Sequence, residues 1–167
     1  SHFSIGANAG AGILISGIRF EKATDTSINA FGPKNSHLTI RDCVFEENTS
    51  TDAGAILIWY EDHVTAKAMY VVIEGCSFVN NQGDDAIILN RGGYLTVKNT
   101  YFSGIQDGWS IVVGQDGSLL LETTCFYDNY GPVYLYTGSY LINNSDVYGS
   151  NTLNDPKYEC QGVVIQG

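Results

Sequence analysis

The 167-residue sequence predicts an all-β fold, a parallel β-solenoid of about six coils, and three observations carry that prediction. First, a short apolar triplet followed by an aromatic five residues later recurs along the chain with a period of about 24 residues. Second, another apolar run follows each triplet, so every period holds two or three short strands and shows no helical spacing. Third, 19 Gly, 11 Tyr and 7 Phe suit strands joined by tight turns better than helices.

Taken in chain order, the first strand of each coil opens the segments ILISGIRF from Ile13, LTIRDCVF from Leu38, VVIEGCSF from Val71, LTVKNTYF from Leu95, LLLETTCF from Leu119 and YLINNSDV from Tyr140. Their central anchors are Ile15, Ile40, Ile73, Val97, Leu121 and Ile142, and the partners five residues on are Phe20, Phe45, Phe78, Phe102, Phe126 and Val147. The second runs are AILI from Ala55, AIIL from Ala86, SIVV from Ser110, PVYL from Pro132 and GVVI from Gly162. The period is too short for a propeller blade, and the Phe-centred pattern lacks the regular Leu and Asn spacing of leucine-rich repeats. Residues 1–167 read as one domain, with 1–12 an N-terminal extension or an incomplete first coil.

In-register stacking would place the residue after each anchor directly over its counterpart in the next coil. That column reads Ser16, Arg41, Glu74, Lys98, Glu122, Asn143, and its charges alternate in sign from coil to coil. Three coils add F-x-x-N, which puts Asn48, Asn81 and Asn129 at one repeated turn. There an amide side chain can pair backbone groups between coils, a structural ladder. With these motifs the chain resembles right-handed parallel β-helices with FxxN and GGA[ILV] repeats, as in chlamydial polymorphic membrane proteins and secreted algal proteins. The second motif stands here as Ala53-Gly54-Ala55-Ile56 and Asp84-Asp85-Ala86-Ile87. The resemblance implies the right-handed twist of the coil and a secreted, surface-displayed or adhesive module.

Eight Lys+Arg against 18 Asp+Glu give a net charge of −10, which repels phosphate backbones and argues against nucleic acid as a partner. With 44% hydrophobic and 16% charged residues the chain is no disordered polyelectrolyte, and no apolar run approaches the roughly 20 residues of a membrane span. A start at Ser1 without a signal sequence leads to the expectation of a processed or excised piece. Cys43 and Cys76 hold the same position in consecutive coils, and Cys125 and Cys160 lie in neighbouring coils. The expected disulfides in a secreted chain are therefore Cys43–Cys76 and Cys125–Cys160, with a buried free-thiol stack as the alternative for the first pair. Sequons occur at Asn48 and Asn143, and Asn143, in the outward column, is the better glycan acceptor.

Chemistry is less legible. Gln82-Gly83-Asp84-Asp85-Ala86-Ile87 resembles the paired-Asp segment of polygalacturonases, but that family's Gly-His-Gly and Arg-Ile-Lys have no counterpart. The histidines His2, His37 and His63 are scattered, and Asp84 and Asp85 are explained more simply as turn residues ahead of a strand. Calcium could sit on Asp84 and Asp85, or on Glu46, Glu47 and Asp52, although a solvated acidic face is the simpler reading and no cofactor is implied. Strand alternation points Leu57, Ile88, Val112, Tyr134 and Val164 outward, with Trp59 and Tyr136 at the margin. Such an apolar column calls for cover, either by the 59–70 segment or by another chain in a homo-oligomer or filament. Tyr127, Tyr130, Tyr134, Tyr136 and Tyr140 could instead offer a sugar-stacking face. The expectation is a non-enzymatic extracellular module that self-associates or binds glycans. The alternative is a carbohydrate-active enzyme using Asp84 and Asp85 on an acidic polysaccharide.

Overall fold

The structure, a computed structural model, describes residues 3–6, 12–31, 35–59, 69–114, 117–136, 139–143 and 145. Its regular elements there are all strands, paired in parallel, and no helix among the described residues is long and apolar enough to cross a membrane. Three long sheets run along the solenoid, and a fourth, two-stranded one pairs Thr49–Ser50 with Gln82–Gly83. The anchor sheet stacks Gly12–Ser16, His37–Arg41, Tyr70–Glu74, Tyr94–Lys98, Ser118–Glu122 and Ser139–Asn143 in that order. The phenylalanine sheet stacks Arg19–Glu21, Val44–Glu46, Ser77–Val79, Tyr101–Ser103 and Cys125–Tyr127. The groove sheet stacks Phe3–Gly6, Ile28–Phe31, Ala53–Trp59, Ala86–Arg91, Trp109–Gly114 and Gly131–Leu135. Five turns are complete among the described residues; Ser139–Asn143 begins a sixth, whose remaining predicted positions, Val147 and the run from Gly162, lie outside them.

The predicted register holds along the anchor sheet: Ile15, Ile40, Ile73, Val97, Leu121 and Ile142 lie opposite one another from turn to turn. The five phenylalanines pair in the same way, and their rings stack 4.6 to 4.9 Å apart with interplanar angles of 3 to 10°. Near-parallel stacking is one of the preferred arrangements of aromatic pairs, and the strand spacing of about 4.8 Å sets the separation of the ring centres. Phe3 closes its first end edge-on against Phe20. In the charged column Glu74 lies between Arg41 at 3.5 Å and Lys98 at 3.1 Å. These pairs are half-exposed and add little stability; they confirm alignment.

Each turn is bent at two corners that composition alone does not reveal. Two residues after each of the first five anchors stand Gly17, Asp42, Gly75, Asn99 and Thr123, and two after each phenylalanine stand Lys22, Glu47, Asn80, Gly104 and Asp128; all ten have positive φ, between 45 and 69°. A single left-handed residue between two extended segments redirects the chain sharply, and repeating it at the same place keeps successive corners in contact.

Directly after the first corner comes a column of small donors. The Cys43 and Cys76 thiols and the Thr100, Thr124 and Ser145 hydroxyls each donate to the carbonyl two residues back, at 2.8 to 3.4 Å. This corrects the expected Cys43–Cys76 disulfide: both cysteines are free, and each thiol does the work that a hydroxyl does elsewhere. Hydrogen bonding with Cys43 and burial push the Cys76 thiol up, which keeps it a protonated donor. Cys125 is disulfide-bonded, while Cys160, its expected partner, lies outside the described residues.

The asparagine positions work as a ladder reaching back one turn. Asn48, Asn81 and Asn129 accept from the backbone N–H of Ala23, Asn48 and Ile105 and donate to the carbonyls of Phe20, Phe45 and Phe102. Only Asn48 and Asn81 also bond each other, at 2.9 Å, because Ile105 holds the intervening position. All three are buried, which leaves the Asn48 amide no room for a glycan; Asn143 is exposed.

A candidate functional site on the outer face of the groove sheet

The backbones of three turns converge where the groove-sheet strands begin. A Cβ on Gly83 would stand 2.1 Å from the Ala86 carbonyl oxygen, and one on Gly108 would stand 2.2 Å from that of Gly83. Only glycine fits, and the chain passes this crowded corner through a bend formed by Asp84 and Asp85. Their N–H groups donate to the carbonyls of Ser50 and Asp52 in the turn before, at 3.3 and 3.4 Å. The predicted turn role is thus real, and it also leaves both side chains exposed and lining one groove.

Arg91 ends the strand that Asp85 precedes, and its guanidinium returns to the carboxylates at the other end, 3.2 Å from Asp52 and 3.4 Å from Asp85. To do so it lies along the outer face of the sheet, where its guanidinium carbon sits 5.4 Å from the centre of the Trp59 ring. The turn that carries Arg91 is clamped by the buried Asn90, which accepts from the Gly93 N–H at 2.7 Å and donates to the Gly93 carbonyl at 2.9 Å.

The floor beside Arg91 is the outward column, and its membership differs from the sequence reading in one turn. Ile88 lies opposite Ile56 and Ile111 and is fully buried in the interior core, whereas Leu89 stacks with Leu57 and Val112 outside. The cause is a bulge: three steps from Ala53 to Ile56 match two from Ala86 to Ile88, so alternation counted from Ala86 slips by one. It also means that Ala86 pairs with Ala53 instead of Ala55, contrary to the motif alignment. Leu57 and Leu89 are nearly buried beneath this surface, and Val112 and Tyr134 continue the column. Val164 and the 60–68 segment proposed as cover lie outside the described residues.

Aromatic rings form the opposite wall. The Trp109 indole lies over Gly131, 5.1 Å from the Tyr134 ring at a 32° tilt and edge-on to Tyr130 at 6.3 Å. Tyr136, 73% exposed, stands at the rim. With Asp84, Asp85, Leu89 and Arg91, the rings of Trp109, Tyr134 and Tyr136 line an open groove of about 390 Å³, within the size range of ligand pockets. Trp109 and Arg91 join the site only in the structure, which gives Arg91 the carboxylate neighbours its sequence surroundings lack. Tryptophan at a strand start and arginine in an Asn-Arg-Gly-Gly turn give no spacing signal, and they meet the carboxylates only through the stacking of turns.

Of the remaining candidates, Tyr127 and Tyr140 belong to strands of the other two long sheets. His37 stacks on Tyr70 in the anchor sheet, 4.9 Å away, and His2 and His63 lie outside the described residues. Glu46 and Glu47 pair with Arg19 and Lys22. Among the described residues no three His, Cys, Asp or Glu side chains converge as a group able to hold a metal ion.

The chain is similar over 96 residues to "Probable endopolygalacturonase B" of Aspergillus fumigatus, at 26% identity, and to endopolygalacturonase B of Emericella nidulans, at 28%. Each match covers 58% of this chain and 24% of the relative, so the chain spans about a quarter of the length of these enzymes. No protein-family model matches it, and no solved structure gives a significant match. The similarity favours the carbohydrate-active alternative over the non-enzymatic expectation.

Proposed function

We propose that this chain is part of an extracellular polysaccharide-cleaving β-solenoid that binds a glycan along the groove and hydrolyses it with Asp84 and Asp85. The supporting observation is that both carboxylates open into the same groove as Trp109, Tyr134 and Tyr136, in a chain similar to endopolygalacturonases. Asp85, ion-paired to Arg91 beside the groove, is the base that takes a proton from the attacking water. Asp84 then donates a proton to the glycosidic oxygen as its bond to the anomeric carbon breaks, and the water oxygen takes the vacated position. The disulfide at Cys125 fits an oxidising, extracellular setting.

The test is release of reducing ends from a panel of plant and fungal polysaccharides. The expected result is measurable release that falls by about a hundredfold or more in Asp84→Asn and in Asp85→Asn, the scale of losing an acid or base. No release from any polymer removes the hydrolytic reading. A second reading, a binding module without cleavage, is favoured by the Arg91 ion pairs, which also make sense as a structural clamp. Glycan binding with no release of reducing ends, in the native chain and in both Asn variants alike, is its signature.

A further inference from the structure

Among the described residues the groove has no unengaged cation to offer an anionic polymer, and we infer that it takes a neutral glycan and not a polyuronate. The inference rests on the glycan-binding reading of the groove and adds its substrate class. Arg91 is the only basic residue among the described groove residues, and its guanidinium is already engaged by Asp52, Asp85 and the Trp59 ring. Asp84 forms no ion pair among the described residues and faces the same space. Of the other described basic side chains, Arg41 and Lys98 belong to the anchor sheet, Arg19 to the phenylalanine sheet and Lys22 to the corner that follows it, and each is paired with a glutamate there.

A carboxylate on each sugar would therefore approach Asp85 with no free positive charge among the described residues to meet it, inside a chain of net charge −10. What the groove does offer is ring surface. Trp109, tilted against Tyr134, and the exposed Tyr136 present π-faces to the C–H faces of a sugar, and such contacts need no charge on the ligand. Asp84 and Asp85 remain hydrogen-bond acceptors for hydroxyl groups.

The decisive comparison uses two polymers of one shape, polygalacturonate and its fully methyl-esterified form, with hydroxyethyl cellulose as a second neutral probe, each measured by calorimetric titration. At about 50 mM salt the ester binds at least tenfold tighter than the acid, and at about 1 M salt screening closes most of that gap. Asp52→Asn releases one claim on Arg91, so it tightens polygalacturonate binding several-fold and leaves the ester unchanged. Circular dichroism checks that the variant folds. Equal or tighter binding of the acid at low salt overturns the inference while leaving the glycan groove standing. Failure of all three polymers to bind removes the groove reading and this inference together.

Discussion

Trp109 rests on Gly131, its neighbour in the next turn: a Cβ placed on that glycine would lie 2.3 Å from the indole Cε3. The absent side chain is what lets the indole lie down toward Tyr134 and form one wall of the groove. Gly131→Ala is expected to lift the ring and weaken glycan binding about tenfold, with little change in stability. Titration with the tightest-binding polymer, together with the Trp emission spectrum, checks it.

Removing one rung of the asparagine ladder should be far more damaging than its surface-like residue type suggests. Asn81→Ala leaves the Asn48 N–H and the Phe45 carbonyl unpaired in the interior and is expected to cost about 3 kcal/mol. Asn129→Ala should behave alike through Ile105 and Phe102. Urea unfolding of both variants measures it, and a loss below about 0.5 kcal/mol would contradict a structural ladder.

Thr123 is the least suitable residue at its corner, a β-branched side chain at φ 45° where the other turns carry Gly17, Asp42, Gly75 and Asn99. Thr123→Asn is expected to raise stability by about 1 kcal/mol, because asparagine tolerates the left-handed region. The reverse change, Asn99→Thr, should lower it by a similar amount. Thermal unfolding of the two variants provides the comparison.

Cys43 and Cys76 act as backbone donors, so threonine should replace either with a loss under about 1 kcal/mol, whereas valine, which cannot donate, should cost more. A thiol-reactive probe should find no accessible thiol in the native protein and two after unfolding without reductant. One disulfide between them would leave none.

The solenoid was legible in the sequence because its periodicity is written twice per turn, in the anchors and in the phenylalanines, and parallel stacking converts equal spacing into contact. The corners were half visible, since Gly17, Asp42, Gly75 and Asn99 are residues that adopt positive φ, but Lys22, Glu47 and Thr123 conceal the pattern. The donor column could have been read from Cys43, Cys76, Thr100, Thr124 and Ser145, had thiols and hydroxyls been treated as one chemical class. Ile88 was misassigned because a bulge leaves no mark on hydrophobic alternation. The groove was harder still: Asp52 and Arg91 meet from positions 39 residues apart, and nothing local to either one announces the other.

The phenylalanine column has a consequence for how such a molecule can change over time. Each interior ring meets the same partner geometry above and below, so a whole coil could be duplicated or excised and the junction would close on an equivalent ring. Length is thereby free to drift, while the crowded corner at Gly83 and Gly108 admits only glycine and sets which coils that drift must spare.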